Sequence, residues 1–226
     1  AKYGYHFTGW SNGATTESIT IPAVKDSTVT ANFTYNQYTI TVANADPTKG
    51  SVSDNATVNY LSNVNLTATP EVGYHFVSWT EDDTVYSTHA DTVVKTLSDR
   101  TLTAHFAINT YNITVNYEST LGTVTNDDND NATVDSGYVF ENVEHGTKLH
   151  FTATVEEGSR FANWSDGNVN VLTNSIEYTV TSTRDLWANF NDAGTYQVTL
   201  NYDPQKGIVS GGGAHHAHDP VTITAT

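Results

Sequence analysis

Gly73-Tyr74-His75-Phe76-Val77-Ser78-Trp79 is the stretch on which the reading of this chain turns, because it occurs three times. An earlier copy reads Gly4-Tyr5-His6-Phe7-Thr8-Gly9-Trp10, and a later one Gly158-Ser159-Arg160-Phe161-Ala162-Asn163-Trp164. The shared frame is glycine, two residues, phenylalanine, two residues, tryptophan. A glycine ahead of large aromatics marks a tight turn, with positive φ or close backbone approach, that feeds a strand whose rings fill a core. The spacing of the copies is that of one very small domain, so the chain reads as an array of repeats.

Working outward, each copy leads to a closing strand. These read Val29-Thr30-Ala31-Asn32-Phe33, Leu102-Thr103-Ala104-His105-Phe106 and Leu186-Trp187-Ala188-Asn189-Phe190. Alternation at period 2 puts the aliphatic residue, alanine and phenylalanine on one face and mostly polar residues on the other. A short linker then gives way to an opening strand: Tyr38-Thr39-Ile40-Thr41-Val42, Tyr111-Asn112-Ile113-Thr114-Val115 and Tyr196-Gln197-Val198-Thr199-Leu200. Each opening strand runs into a turn that ends at Gly50, Gly122 or Gly207. Asp-Pro at the start of two of these turns and the closing glycine predict a hairpin built on a type I turn with a left-handed residue. A short return strand, a variable loop and a third strand (Val64–Thr69, Leu149–Thr154, Val221–Thr226) complete the unit. In the unit opening at Tyr111 the loop from about 126 to 146 carries the extra length.

No stretch shows helical periodicity over ten or more residues. The expected fold class is therefore all-β, with little or no helix. The expected organisation is the back half of a module at 1–33, complete modules at 38–106 and 111–190, and the front half of a module at 196–226. Units of roughly 70–85 residues lie near the lower limit for folding on one hydrophobic core.

Composition narrows the partners. There is no cysteine, so neither disulfides nor thiolate metal sites can staple the units. A formal charge of −16 argues against nucleic acid and anionic membrane as direct partners. No apolar run approaches the roughly 18 residues of a membrane-spanning helix. The chain opens at Ala1, three residues before a repeat motif, and reads as an excerpt or a processed product.

In succession, Tyr-x-Ile-Thr-Val, Gly-x-Val, Leu-Thr-Ala-Thr-Pro, Gly-Tyr-x-Phe-x-x-Trp and Leu-Thr-Ala-x-Phe resemble the divergent internalin B-repeat, also called the Listeria–Bacteroides repeat. Residues 38–106 match throughout. Residues 111–190 match with two departures, Val155 for the usual proline and Ser159 for tyrosine. The resemblance implies tandem modules of β-grasp-like or β-sandwich-like fold, in large bacterial or archaeal cell-surface proteins. There they serve as stalks, spacers or adhesive surfaces, and no catalytic motif comes with them.

Two clusters could carry chemistry. Asp127, Asp128 and Asp130, in the extended loop, supply oxygen ligands dense enough for Ca²⁺, although Ala132 and Tyr138 stand where an EF-hand loop needs glycine and glutamate. The competing reading is a solvated acidic loop. His215, His216 and His218, after three glycines, could hold a transition metal, but a glycine-rich loop lacks the rigid support such sites need. His6 and His75 share a frame position between core aromatics and are expected to point outward. Trp187, outward by alternation, is the one ring placed to stack on a sugar. Nucleophile elbows, zinc-protease helices and phosphate loops are absent from the sequence.

The sequence thus predicts a non-enzymatic structural repeat region of an extracellular surface protein or fibre, a stalk or spacer. Its expected partners are adjacent repeats or copies of itself joined head to tail. The alternative is an adhesive module for glycan or protein. No cofactor is expected beyond the calcium reading.

Overall fold

A computed structural model describes residues 1–22, 24–216 and 220–226, with His216 by its backbone alone. The chain divides into two compact units, Ala1–Ile108 and Asn109–Thr226. Among the described residues there is no helix.

The first unit begins with β1 (Tyr5–Trp10) and β2 (Ala31–Tyr35), an antiparallel pair. Then follow β3 (Gln37–Asn44), β4 (Gly50–Val52), β5 (Ala56–Asn59), β6 (Asn63–Leu66), β7 (Ala68–Pro70), β8 (Tyr74–Glu81), β9 (Thr84–Ser87), β10 (Thr92–Lys95) and β11 (Arg100–Ile108). Five of them form a mixed sheet in the order β5-β3-β11-β8-β9, in which opening strand β3 runs parallel to closing strand β11. The short pairs β4-β7 and β6-β10 supply residues that cover its apolar face. Ile40, Leu66, Trp79, Val94, Leu102 and Ala104 are buried between them.

The second unit repeats this plan with β12 (Thr110–Tyr117), β13 (Gly122–Asn126), β14 (Ala132–Val134), β15 (Tyr138–Glu144), β16 (Lys148–Val155), β17 (Ser159–Ser165), β18 (Asn170–Val171), β19 (Ser175–Thr179) and β20 (Arg184–Asp192). The large sheet is β15-β12-β20-β17-β18, with β12 and β20 parallel; the covering sheet is β14-β13-β16-β19. The remaining strands are β21 (Thr195–Val198), β22 (Val209–Ser210), β23 (Gly213–His216) and β24 (Thr224–Ala225). They pair as β21-β23 and β22-β24. These are the pairings that β3-β5 and β4-β7 make in the first unit.

The repeated Gly-x-x-Phe-x-x-Trp stretch owes its spacing to a β-bulge. On a regular strand, residues three apart point to opposite faces. Here the register slips by one after each phenylalanine. Phe76 faces Phe106 while Ser78 faces His105, and Phe161 faces Phe190 while Asn163 faces Asn189. The earlier copy slips likewise between Phe7 and Gly9. The extra residue (Thr8, Val77 or Ala162) absorbs the step, so phenylalanine and tryptophan reach the same face. Their ring centroids then lie 5.5, 5.8 and 6.0 Å apart in the three copies. Trp79 and Trp164 are fully buried, and each donates its indole N–H to a backbone carbonyl, of Ala90 and Asn174 respectively, at 3.0 Å. The leading glycines Gly4, Gly73 and Gly158 all have φ between 82° and 85°, as the turn requires.

Three sequence expectations are corrected. The Asp-Pro turns ending at Gly50 and Gly207 make no hairpin, and the turns at Gly50 and Gly122 carry the chain from the large sheet to the covering one, where β4 pairs with β7 and β13 with β14 and β16. Neither Gly50 nor Gly122 has positive φ. Glycine stands there because a Cβ would lie 2.5 Å from the ring of Phe106 or Phe190. The loop from 126 to 146 holds β14 and β15, leaving only a short acidic turn at 127–131. The third strand at Val64–Thr69 is broken at Thr67 into β6 and β7, whereas β16 is continuous.

Candidate functional surfaces

The acidic turn folds back onto the strand beside it. Asp127 Oδ2 accepts from Thr152 Oγ1 at 2.8 Å and its Oδ1 from Thr125 Oγ1 at 3.2 Å. Asp128 Oδ2 accepts from the backbone N–H of His150 at 2.8 Å, and its Oδ1 lies 2.7 Å from His150 Nδ1. Glu177 continues the chain of charges, 3.3 Å from His150 Nε2 and 2.6 Å from Lys148 Nζ. Hydrogen bonds from Asp128 and then Glu177 push the His150 pKa above its ordinary value. The backbone and ring of His150 hold Asp128 low, and Lys148, then His150, hold Glu177 low. Asp130 sits apart in the turn with φ of 50°. The turn thus satisfies Asp127 and Asp128 with protein donors and pins the β13–β14 corner to β16. Among the described residues no three His, Asp or Glu groups gather as a metal ion would need.

Of the C-terminal histidines, His218 lies outside the described residues, as does Asp219. His215 pairs with Tyr196 and His216 with Thr195 across β21 and β23. His215 Nε2 is buried with no hydrogen-bond partner. His6 and His75 are exposed, as their frame position predicts. Asp82 and Asp83, both with positive φ, form the two-residue turn between β8 and β9.

Two clefts occupy matching places at the ends of β11 and β20. The first, of about 420 Å³, is lined by Thr39, Glu81, Asp82, Asp99 and Arg100 among others. Arg100 Nε donates to Glu81 Oε1 at 2.7 Å and its Nη2 to Oε2, while the guanidinium lies 4.8 Å from the Tyr86 ring centroid. That bidentate pair holds the Glu81 pKa low and spans the cleft. The second, of about 440 Å³, is lined by Asp166, Gly167, Thr183, Arg184, Asp185 and Trp187. Here Asp166 accepts from Tyr178 Oη (2.6 Å) and from the backbone N–H of Asn168 and Val169. Burial pushes the Asp166 pKa up, but those bonds and the Arg184 charge outweigh it and hold it low. Sequence reasoning found Trp187 by alternation and missed this cleft, because its residues come from two separate stretches, 166–167 and 183–187.

Sequence reasoning assigned no role to the tyrosines that recur at the heads of the opening strands. In the first unit several tyrosines, Tyr38 among them, make a junction. Tyr60 sits under Gly4, where a Cβ would lie 2.1 Å from its ring. Tyr3, Tyr5 and Tyr38 pack against Tyr60 with ring centroids 5.6, 5.9 and 6.3 Å away. Asn36 N–H donates to Gly4 O, Tyr60 N–H donates to Asn36 O, and Tyr3 Oη donates to Leu97 O. The recurrence of tyrosine at the head of each opening strand was the available signal.

A search among curated proteins finds no match to the chain. The family model for the divergent InlB B-repeat domain matches residues 1–37, 38–110 and 111–194. That family is one of repeat modules of surface proteins, typically without enzymatic activity. With three successive matches over most of its length, and with the parallel opening and closing strands and bulged aromatic strand repeated in both units, the chain belongs to the divergent InlB B-repeat family.

Proposed function

We propose that this chain is a stiff spacer in the extracellular part of a surface protein, holding other parts of that protein at a fixed distance from the cell. The observation that carries the reading is the junction at Asn36. Strand β2 passes through this single residue into β3, and the residue is bonded from both sides, by Gly4 O and Tyr60 N–H at 2.8 Å each. One link of each kind recurs in the second unit, at two different connections: Ala193 N–H donates to Gly158 O after β20, and His145 N–H donates to Asn109 O ahead of β12. A connection with no free residue and a packed tyrosine cluster leaves little room for a hinge. Hydrogen exchange tests this. The amides of Asn36 and Tyr60 should be protected about as well as those inside β3, and Tyr60→Ser should release both. Free exchange of these amides in the unaltered chain would refute a stiff junction.

A second reading rests on one exposure difference. Phe190 is 8% exposed, sealed by the turn at Gly122, whereas Phe33, its counterpart beside β1, is 51% exposed. At the other end of the sequence, Gly207 and the pairs β21-β23 and β22-β24 form the kind of half-module that covers such a ring. We infer that the two faces recognise one another, along a longer array or between copies, with β21 joining β2 in parallel as β3 joins β11. Sedimentation of the chain should show concentration-dependent association that Phe33→Asp abolishes. A chain that stays monomeric as concentration rises would overturn assembly between copies.

A further inference from the structure

Residues 185–189 of β20 alternate cleanly. Leu186 and Ala188 are buried, and Asp185, Trp187 and Asn189 face outward from the large sheet. Trp187 is 47% exposed at the middle of a central strand, opposite Asn116 of β12 and Ser165 of β17. The fold does not ask for this ring. At the equivalent place on β11, between buried Leu102 and Ala104, stands Thr103. The other three tryptophans donate their indole N–H to backbone carbonyls, of Thr16, Ala90 and Asn174. Among the described residues Trp187 donates to none.

What surrounds the ring is polar and only partly committed, with Asn189 donating to Ser165 Oγ at 2.9 Å. The cleft next to it also differs from its counterpart in the first unit. There, Arg100 is tied into a bidentate pair with Glu81. Here, among the described residues, Arg184 donates only through Nε, to Ser182 Oγ at 3.1 Å, while Asp166 is engaged by Tyr178 and two backbone amides. Asp185 is exposed and, among the described residues, has no protein partner. An exposed indole with a free N–H, a guanidinium fork, a free carboxylate and the amide of Asn116 thus share one sheet face and the cleft at its edge.

We propose that Trp187 and the cleft lined by Asp166, Arg184 and Asp185 bind a neutral pyranose oligosaccharide, an activity separate from the spacer role. The C–H face of a pyranose ring stacks on an indole, and its hydroxyls both donate and accept, which suits a carboxylate, a guanidinium and an amide in one site. A formal charge of −16, with Asp166 and Asp185 in the cleft, disfavours sialylated or uronic acid chains. A buried protein partner would have to desolvate Asp185 without a paired cation, whereas a sugar hydroxyl can donate to it directly.

Titration of the full chain with cellohexaose and mannohexaose, followed by tryptophan fluorescence and by amide chemical shifts, tests the assignment. At least one of these should blue-shift the emission and perturb Asn116, Ser165 and Asn189, with sialyllactose inert as the charged comparison. Trp187→Ala should weaken binding by about tenfold or more, Asp185→Asn by a few-fold, and Trp187→Tyr should restore part of it. Because Trp187 faces outward, the alanine variant should keep its melting temperature, so lost binding cannot be put down to lost fold. Silence toward both neutral hexasaccharides at about 10 mM, far above the range of even a weak site, would overturn the proposal. So would full binding by Trp187→Ala, or a response to sialyllactose alone.

Discussion

Placing a methyl group at Gly122 should be more damaging than the same change at Gly50 or Gly207, the glycines that end the matching turns. The backbone there has ordinary φ, so alanine meets no conformational strain and its cost is purely one of space. Its Cβ would lie 2.5 Å from two ring atoms of Phe190 and 2.7 Å from the carbonyl oxygen of Thr154. The ring cannot retreat, because it packs on Phe161 and Tyr117 at 5.8 and 6.5 Å and is almost fully buried. The carbonyl belongs to β16, which is paired on both edges. Overpacking of this kind costs about 1–3 kcal/mol. Replacing glycine by alanine returns about 0.4–1 kcal/mol by restricting the unfolded chain. In a site closed by both a buried ring and a paired strand the upper end of that overpacking range applies, so the net for Gly122→Ala should be about 2 kcal/mol.

The sister positions give the argument its control. At Gly50 only the ring of Phe106 is in the way, and that ring is less enclosed, so Gly50→Ala should cost about 1 kcal/mol. At Gly207 the nearest atom is the carbonyl oxygen of Thr226 at 3.0 Å and no ring is present, so alanine should be close to neutral. Thermal unfolding read by near-ultraviolet circular dichroism should rank the melting points in that order. About 2 kcal/mol corresponds to roughly 8–16 °C in a domain of this size. Adding Phe190→Leu to Gly122→Ala should recover part of the loss, a coupling that two independent lesions would not show. If Gly122→Ala melts within about a degree of the unaltered chain, or Gly207→Ala proves the worst of the three, the steric account is wrong.

Three further outcomes are expected. Trp79→Ala should cost about 3–5 kcal/mol and unfold most of the first unit, since it empties a fully buried site and strands the Ala90 carbonyl; retention of near-ultraviolet signal at 37 °C would refute that core assignment. The His150 cluster should give a stability plateau. His150, with its pKa raised, contributes most below its ordinary value of 6.5, and the contribution is lost as pH rises through the folded value. Asp128 and Glu177, with theirs lowered, contribute above 3.8 and 4.5 and lose it as pH falls. His150→Gln should therefore flatten the decline in melting temperature above about pH 6.5, and an unchanged slope would sink the idea. Finally, adding a chelator should leave the melting temperature of the second unit unmoved, because Asp127 and Asp128 already accept protein donors; a large fall would make the acidic turn a structural metal site.

How far the sequence revealed this fold depends on strand length and on what each strand buries. Strands with one apolar face over five or more residues, such as β11 and β20, announced themselves by alternation. Strands of two to four residues did not: Thr84–Ser87, Ala132–Val134 and Asn170–Val171 are too short to show a period, and their pairing is decided by the neighbour they meet. The bulge was legible in principle. Phenylalanine and tryptophan three residues apart cannot share a face of a regular strand, so the recurrence of that spacing already required an extra residue. The glycines at 50 and 122 were read as turn residues because sequence shows a residue and not the ring that presses on it. The acidic turn was read for its charge, and nothing nearby in sequence pointed to His150 or Thr152 as the groups that satisfy it.

The repeats also act as a control within one molecule. Where two units place the same kind of residue at the same register position, the fold has a use for it: Trp79 and Trp164, Leu102 and Leu186, Ala104 and Ala188, Gly50 and Gly122 all meet the core or close on it. Where the units differ on an outward face, packing cannot be the reason. Thr103 against Trp187, and the Glu81–Arg100 pair against an unpaired Arg184 fork, are differences of that second kind. They fall side by side on one sheet and beside one cleft. A neutral drift of exposed positions would favour small polar residues over a half-exposed indole. The comparison therefore separates two layers of information in this chain: a shared one that builds a module, and a private one in the second unit, on which the proposed sugar site rests.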